Sequence, residues 1–347
     1  MLPNNILVVR NDKLGDFLLT WPAIALLKKH LPDLSVSVFV PEYTAAIAEL
    51  CPWIDDIIVD NKSSVISLSS TLTRRNFDAM LTLYSTSRVG LAGMLSRIPY
   101  RLSPATKFAQ VFYTHRLTQR RSRSEKPEYA YNMDIVWRFL FDHGLCESLQ
   151  ATSESNGDWL PAEIPRPLLR FDDDTAALRE SLCSTHQLRS DSRLIFVHPG
   201  TGGSANNLRP SQYAHLCNLL AGMANCSFIV TAGPGELPIA QEVVDGINGA
   251  AVVHESFSGL GEFARTMQCA ELFISGSTGP LHIAGALNLN TAAFYPGHRS
   301  ATPLRWQTLN APERRLAFVP PSGSEREVQM IDIEAAARRI TAHFFAS

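Results

Sequence analysis

The sequence has no run of about 18 consecutive apolar residues, the length a membrane-spanning helix needs, so none of its 347 residues is read as a transmembrane segment. Its N-terminus, Met-Leu-Pro-Asn-Asn, lacks a cationic stretch followed by an apolar signal core, and the chain is read as cytoplasmic. Its six cysteines (Cys51, Cys146, Cys183, Cys217, Cys226, Cys269) are dispersed and form no CxxC pair, which argues against a metal cluster and against a disulfide framework. There is little net charge: 31 basic residues against 33 acidic ones leave −2, so the whole-chain balance gives no reason to expect a nucleic-acid partner. A content of 45% apolar and 18% charged residues excludes intrinsic disorder. At roughly 100–200 residues per domain, the length suggests two domains, each large enough for its own core.

What the sequence does contain is an alternation of short β-branched runs with helical periodicities. Residues 6–10 (ILVVR) read as a buried strand, and Leu18, Ile24 and Leu27 mark 17–29 as a helix. A strand over 34–40, a helix near 43–50 and strands over 56–60 and 77–84 follow. Residues 101–126 break the pattern. A helix over 128–143, closed by Gly144, resumes it, and 151–170, with Pro161, Pro165 and Pro167, reads as the interdomain linker. The second half predicts helices over 175–185, 210–223, 236–246, 260–268 and 280–287, and strands over 193–198, 227–232, 251–253, 272–275 and 291–295. Such alternation predicts a doubly wound parallel sheet in each half, with ligands outside the carboxyl ends of the strands. No sequence similarity between the halves is evident.

The loops after the strands therefore hold the candidate chemistry. After the first strand, Arg10-Asn11-Asp12-Lys13-Leu14-Gly15-Asp16 places a carboxylate at a helix start. From residue type alone Asp16 there reads first as a helix cap and second as a reacting acid, and Asp12 competes for either role. Pro199-Gly200-Thr201-Gly202-Gly203-Ser204-Ala205 is a run of small residues whose N–H groups can converge on an anion. It also satisfies the GxGxxA string of dinucleotide-binding proteins. However, no Asp or Glu occurs between Gly203 and Glu236, so the acid that would bind a ribose about 20 residues on is missing. Thr231-Ala232-Gly233-Pro234-Gly235-Glu236 offers Glu236 either to ribose hydroxyls or to its own helix. Ser277-Thr278-Gly279-Pro280-Leu281-His282 opens a further helix whose N–H groups and dipole suit a diphosphate; a well-capped helix with a core histidine would look the same. Residues 101–126 carry seven basic side chains (Arg101, Lys107, Arg116, Arg120, Arg121, Arg123, Lys126) against Glu125 alone. This is a solvated loop or a site for a polyanion or an anionic membrane surface.

In order and spacing these segments resemble glycosyltransferase family 9, the bacterial ADP-heptose–lipopolysaccharide heptosyltransferases and their relatives. The resemblance runs from Ile6-Leu7-Val8-Val9-Arg10 with Leu14-Gly15-Asp16 and Pro22-Ala23, through the helix ending at Gly144, to His198-Pro199-Gly200 with Pro210 and Tyr213. Ser277 to His282 with Ala284, Ala286 and Leu287, then Tyr295-Pro296 and Arg305-Trp306, complete it. It implies an α/β GT-B fold, two Rossmann-like doubly wound domains facing across a cleft. Residues 1–165 would bind the acceptor, 171–325 the nucleotide sugar, and 326–347 would form a helix crossing back to the first domain.

The resemblance further implies an inverting, metal-independent transfer, with a nucleotide sugar as co-substrate and no other cofactor. Asp16 would be the general base. Gly15, Thr201, Gly202, Gly203, Ser204, Asn207, Arg209, Glu236, Ser277, Thr278, Gly279 and His282 would bind the donor. Arg10, Arg116, Arg120, Arg121, Arg123 and Lys126 would bind the acceptor, expected to be the lipopolysaccharide inner core at the inner-membrane surface, with no nucleic acid involved. The chain departs from the family pattern at Asn207, where many members carry Lys, with Arg209 as the available cation, and at Ser277, where ADP-heptose enzymes often carry Asp. These positions leave open a donor other than ADP-heptose. A nucleotide-sugar epimerase of the same architecture and an NAD-dependent module are the alternative readings.

Overall fold

The computed structural model describes residues 2–106, 108–155, 157–202, 206–255 and 259–346. The chain divides into two compact units, Met1–Pro165 and Arg166–Ser347. The first unit runs β1 (Asn5–Val9), α1 (Leu14–Leu18), α2 (Trp21–His30), β2 (Ser35–Pro41), α3 (Ala45–Ala48), β3 (Asp56–Asp60), α4 (Val65–Arg75), β4 (Ala79–Thr82), α5 (Ser87–Leu95), β5 (Tyr100–Pro104), β6 (His115–Leu117) and α6 (Glu128–Asp142). The second runs α7 (Thr175–Thr185), β7 (Arg193–His198), α8 (Pro210–Met223), β8 (Cys226–Ala232), α9 (Leu237–Asp245), β9 (Ala251–Glu255), α10 (Leu260–Met267), β10 (Leu272–Gly276), α11 (Gly279–Ala286), β11 (Thr291–Phe294), β12 (Arg315–Phe318) and α12 (Ile333–Ile340).

Both sheets are six-stranded and parallel. The first has the order β3-β2-β1-β4-β5-β6 and the second β12-β11-β10-β7-β8-β9, which is the same winding read from the other edge. The halves thus repeat one topology without repeating a sequence. The physical cause is the continuous apolar run of each central strand. Ile6, Leu7, Val8 and Val9 in β1 and Leu194, Ile195, Phe196 and Val197 in β7 are all buried, as strands covered on both faces must be.

Several elements differ from the sequence expectation. The helix expected over 17–29 is two helices, because Thr20 turns back to donate to the Phe17 carbonyl (2.6 Å) and Pro22 sits in the first turn of α2. The irregular stretch over 101–126 contributes most of β5 and the edge strand β6. Their few residues alternate too briefly to register as strands. The helices α4 and α5 went unanticipated. Helix α12 packs within the second unit. Ile333, Ala336, Ala337 and Ile340 of α12 join Leu216, Cys217 and Leu220 of α8 in one core, and Gln329 donates to the Asn207 carbonyl (2.8 Å). Each buried isoleucine contributes roughly 1.5–3 kcal/mol there. The presumed linker is docked as well: Leu168 and Leu169 are buried, and both donate to the Ala286 carbonyl.

Candidate functional site

In a doubly wound sheet, the loops leaving two adjacent central strands diverge to opposite faces and open a crevice at their carboxyl ends. Here those strand pairs are β1 with β4 and β7 with β10. The residues just beyond them are Arg10 and Leu83 to Ser85 in the first unit, and His198 to Gly202 and Ser277 to Gly279 in the second.

At the first, Arg10 is buried and its guanidinium is shared among three carboxylates. Nε donates to Asp12 Oδ1 (2.8 Å), Nη2 to Asp16 Oδ1, and Nη1 to Glu128 Oε1 (2.9 Å), with Asn132 Oδ1 at 3.4 Å. Glu128 opens α6, is 1% exposed, and also accepts from Arg121 Nη1 (2.5 Å). Arg121 in turn donates through Nε to Gln119 Oε1 (2.8 Å). Burial disfavours charge on Arg10, but Asp16, Asp12 and Glu128 outweigh it and raise its pKa, so it stays a cation.

Asp16 lies in the first turn of α1, yet it is not a cap. The cap position is Lys13, and among the described residues no backbone N–H donates to the Asp16 carboxylate. Its carboxylate is engaged by Arg10 instead. Burial pushes its pKa up from the ordinary aspartate range to about 6, with Arg10 opposing the rise and Asp12 and Glu128 adding to it. A carboxylate ionised at neutral pH but more basic than usual is suited to taking a proton. Asp12 Oδ1 is occupied by Arg10, and Tyr43 spans the loop by donating to the Asp12 carbonyl and accepting from the Leu14 amide (both 3.1 Å). Asn11 donates to Asp60 Oδ2 (2.7 Å), which also pairs with Arg88. Gly15 is buried inside α1.

The structure sorts the basic segment into two classes. Arg101 donates to the Phe112 and Ile98 carbonyls, Lys126 pairs with Asp134 and reaches the Thr152 carbonyl (3.3 Å), and Arg121 belongs to the Asp16 network. These three serve the fold and the buried network. Arg116 and Arg120 are exposed, and exposed Arg123 meets only Glu125 at 3.5 Å among the described residues. Lys107 lies outside the described residues.

At the second switch point the groups are mostly neutral. His198 ends β7, buried, with Nδ1 3.0 Å from Thr231 Oγ1 at the end of β8. Glu236 holds the cap position of α9 without a side-chain capping bond: its Oε1 accepts from the Gly202 amide (2.8 Å) and its Oε2 from the Gly233 amide (3.0 Å), with His198 Nε2 at 3.6 Å. Burial lowers the His198 pKa against the pull of Glu236. The loop needs glycine at 200, because a Cβ there would collide with the Glu236 carboxylate. Thr201 is half-buried, whereas Gly203 and Ser204 lie outside the described residues.

Asn207, expected at the donor, is consumed internally. Its Nδ2 donates to the Pro199 carbonyl (2.8 Å), and its Oδ1 accepts from the Leu208 amide (2.9 Å) and Tyr213 hydroxyl (2.6 Å). It is a staple of the β7 loop. Arg209 is exposed at the cap position of α8. Thr278 caps α11 by position without a side-chain capping bond, Ser277 and Gly279 are half-buried beside it, and Pro280 is the second residue of the helix. His282 is buried one turn in. Burial takes its pKa down to about 4, and its Nδ1 has no hydrogen-bond partner among the described residues. A concavity of about 620 Å³ lies at the other end of this sheet, lined by Arg193, Asn225 and Glu271 near the strands' amino ends, where Arg193 and Glu271 pair at 3.0 Å.

Sequence reasoning missed Glu128, Asn132, Thr231 and His198 as site groups. The available signal was Glu128 itself, an acid at the first position of α6.

Residues 65–316 match the model of glycosyltransferase family 9 (heptosyltransferase). A Haemophilus influenzae protein, whose name assigns it provisionally to the glycosyltransferases, is 41% identical over 345 residues, covering 97% of this chain and 95% of its own. Lipopolysaccharide heptosyltransferase 1 of Campylobacter coli is 25% identical over 321 residues, with 85% and 86% covered. The structure of the Escherichia coli ADP-heptose lipopolysaccharide heptosyltransferase II superposes with a TM-score of 0.76 at 14% identity, covering 98% of each chain, which shows that the two Rossmann-like units are those of a GT-B fold. The chain is a glycosyltransferase and belongs to glycosyltransferase family 9.

Proposed function

We propose that this glycosyltransferase transfers heptose from ADP-heptose to the inner core of lipopolysaccharide, with inversion, without a metal ion and with no cofactor beyond the nucleotide sugar. The observation that carries the reading is Asp16: a buried carboxylate at a switch point, free of any capping duty, held by Arg10 and raised to about 6. It takes the proton of the acceptor hydroxyl as that oxygen attacks the anomeric carbon and the diphosphate leaves. The departing charge is met by the N–H groups and positive dipole end of α11 at Thr278 and Gly279, with the Ser277 hydroxyl and His282 alongside. Glu236, anchored by Gly202 and Gly233, accepts from ribose hydroxyls. The relatives' names supply the donor and acceptor class, being a lipopolysaccharide heptosyltransferase and an ADP-heptose enzyme.

Exposed Arg116, Arg120 and Arg123 are proposed to meet the acceptor's anionic groups or the anionic leaflet in which it sits, a peripheral association at the cytoplasmic face. Among the described residues no helix is long and apolar enough to cross a membrane. A second reading keeps the reaction and changes the donor. It is favoured by Asn207, which is spent on the protein's own loop where many relatives offer a cation.

The test is a thermal-shift panel of nucleotides and nucleotide sugars followed by transfer assays, since a ligand of the native state stabilises it in proportion to its concentration. ADP and ADP-heptose should outperform the UDP and GDP series. Preference for another nucleotide removes the heptose assignment.

A further inference from the structure

Glu128 has no part in the proposed chemistry, yet it is the most buried carboxylate of the Asp16 network and the junction of its two cations. Its Oε1 accepts from Arg10 at 2.9 Å and from Arg121 at 2.5 Å, tying the loop after β1 and the turn over 121–123 to the first residue of α6. The groups facing Asp16 are Arg10 and Asp12 from its own loop, Glu128 from α6 and Tyr43 from the segment after β2, while Tyr84 from the loop after β4 lies 6.0 Å from the Arg10 guanidinium. Lys13 is exposed. Among the described residues, two guanidiniums therefore serve three carboxylates, Asp12, Asp16 and Glu128, which outnumber them by one.

From this arrangement we propose that Glu128 is a positioning residue for the base, dividing the Arg10 charge so that Asp16 keeps only part of it. The proposal rests on the reading of Asp16 as the base. Its logic is charge counting at low dielectric. With Asp16 ionised the cluster is at −1, and protonating Asp16 makes it neutral, so the cluster favours proton uptake. Arg121 holds Glu128 from the other side and limits how strongly Glu128 competes for Arg10.

Two substitutions then act in opposite directions. Glu128→Gln keeps the shape but leaves two cations for two carboxylates, so ionised Asp16 sits in a neutral cluster and becomes a weaker base. Arg121→Gln leaves one cation for three carboxylates and makes Asp16 more basic. A purely structural role for Glu128 and Arg121 would move both variants the same way.

The experiment is a pH titration of the aspartate carboxyl resonances in full-length protein labelled with 13C at aspartate, with Asp16 identified by the signal missing in Asp16→Asn. Glu128→Gln should lower the Asp16 midpoint, and Arg121→Gln should raise it, each by about tenfold in acidity constant. Glu128→Asp, which keeps the charge, should restore most of the wild-type value. Midpoints that stay put, or that move in one direction for both variants, overturn the proposal. If Glu128→Gln does not fold, Arg121→Gln decides alone: an upward shift supports the proposal and any other result overturns it. In transfer assays the acidic limb of the kcat profile should track the midpoint in each variant. If the wild type transfers no heptose from ADP-heptose, the functional reading fails while the titration still judges Glu128.

Discussion

The two switch points share a topology and differ in chemistry. In the first unit, charged side chains from β1, the turn over 121–123 and α6 are buried together and neutralise one another incompletely, so one of them, Asp16, titrates near neutrality. In the second, the Glu236 carboxylate is tied to the Gly202 and Gly233 amides, beside hydroxyls and histidines whose pKa burial lowers. A cluster of the first kind suits the proton uptake proposed for Asp16, and the second is the place proposed for the donor's anion. The two clusters differ because the residues in the first turns after the strands differ, not because the strands do.

The sharpest way to break this contrast is Asp16→Asn. Loss of a general base typically costs 10²–10⁴-fold, so kcat should fall by about that factor, while nucleotide affinity by calorimetry stays unchanged. Residual turnover near the wild-type level would return Asp16 to a structural role.

Next in size is the exposed basic set. Replacing Arg116, Arg120 and Arg123 together by Gln should weaken binding to anionic phosphatidylglycerol vesicles by about 1 kcal/mol per residue, with no change in nucleotide affinity. Arg121 is left out of that set because its charge is committed to Glu128.

A smaller effect is expected at Gly200, where an Ala Cβ would displace the Glu236 carboxylate from the Gly202 and Gly233 amides. Gly200→Ala should reduce the thermal shift given by ADP, equivalent to roughly 1–2 kcal/mol, and leave the Asp16 titration untouched. Movement of the Asp16 midpoint would mean the two clusters are not independent.

Stability also separates the clusters. Folded Asp16 holds its proton up to about 6, against 3.8 ordinarily, so the folded state binds more protons between these values and stability falls as pH rises across that window. Asp16→Asn removes that loss: it should stabilise the protein by up to about 3 kcal/mol at pH 7.5 and not at all below pH 3.5, as read by denaturant titration. By contrast, ADP affinity should be flat between pH 7 and 8.5, above the second phosphate ionisation near 6, because His282 at about 4 and the depressed His198 are neutral throughout.

Much of the fold was legible because parallel strands buried on both faces read as unbroken apolar runs, and ILVV in β1 and LIFV in β7 do so. Asp16 was legible as a candidate from its place after the first strand, but whether it capped or reacted depended on which donors reached it. Asn207 was legible as a loop residue after β7, whereas its hydrogen bonds to Pro199, Leu208 and Tyr213 depend on how that loop folds.

By itself, the sequence determined the alternation of strand and helix, the small-residue loops and the membership of those loops at strand ends, since these follow from periodicity and from residue size. Tertiary structure alone decided that β1 pairs with β4 and β7 with β10, and that Glu128, more than a hundred residues from Arg10, shares its guanidinium. It also placed α12 against α8. The reason is physical: periodicity reports which face of a segment is buried, whereas the charge state of a buried carboxylate depends on every group within a few ångströms, and those groups come from segments the sequence holds far apart.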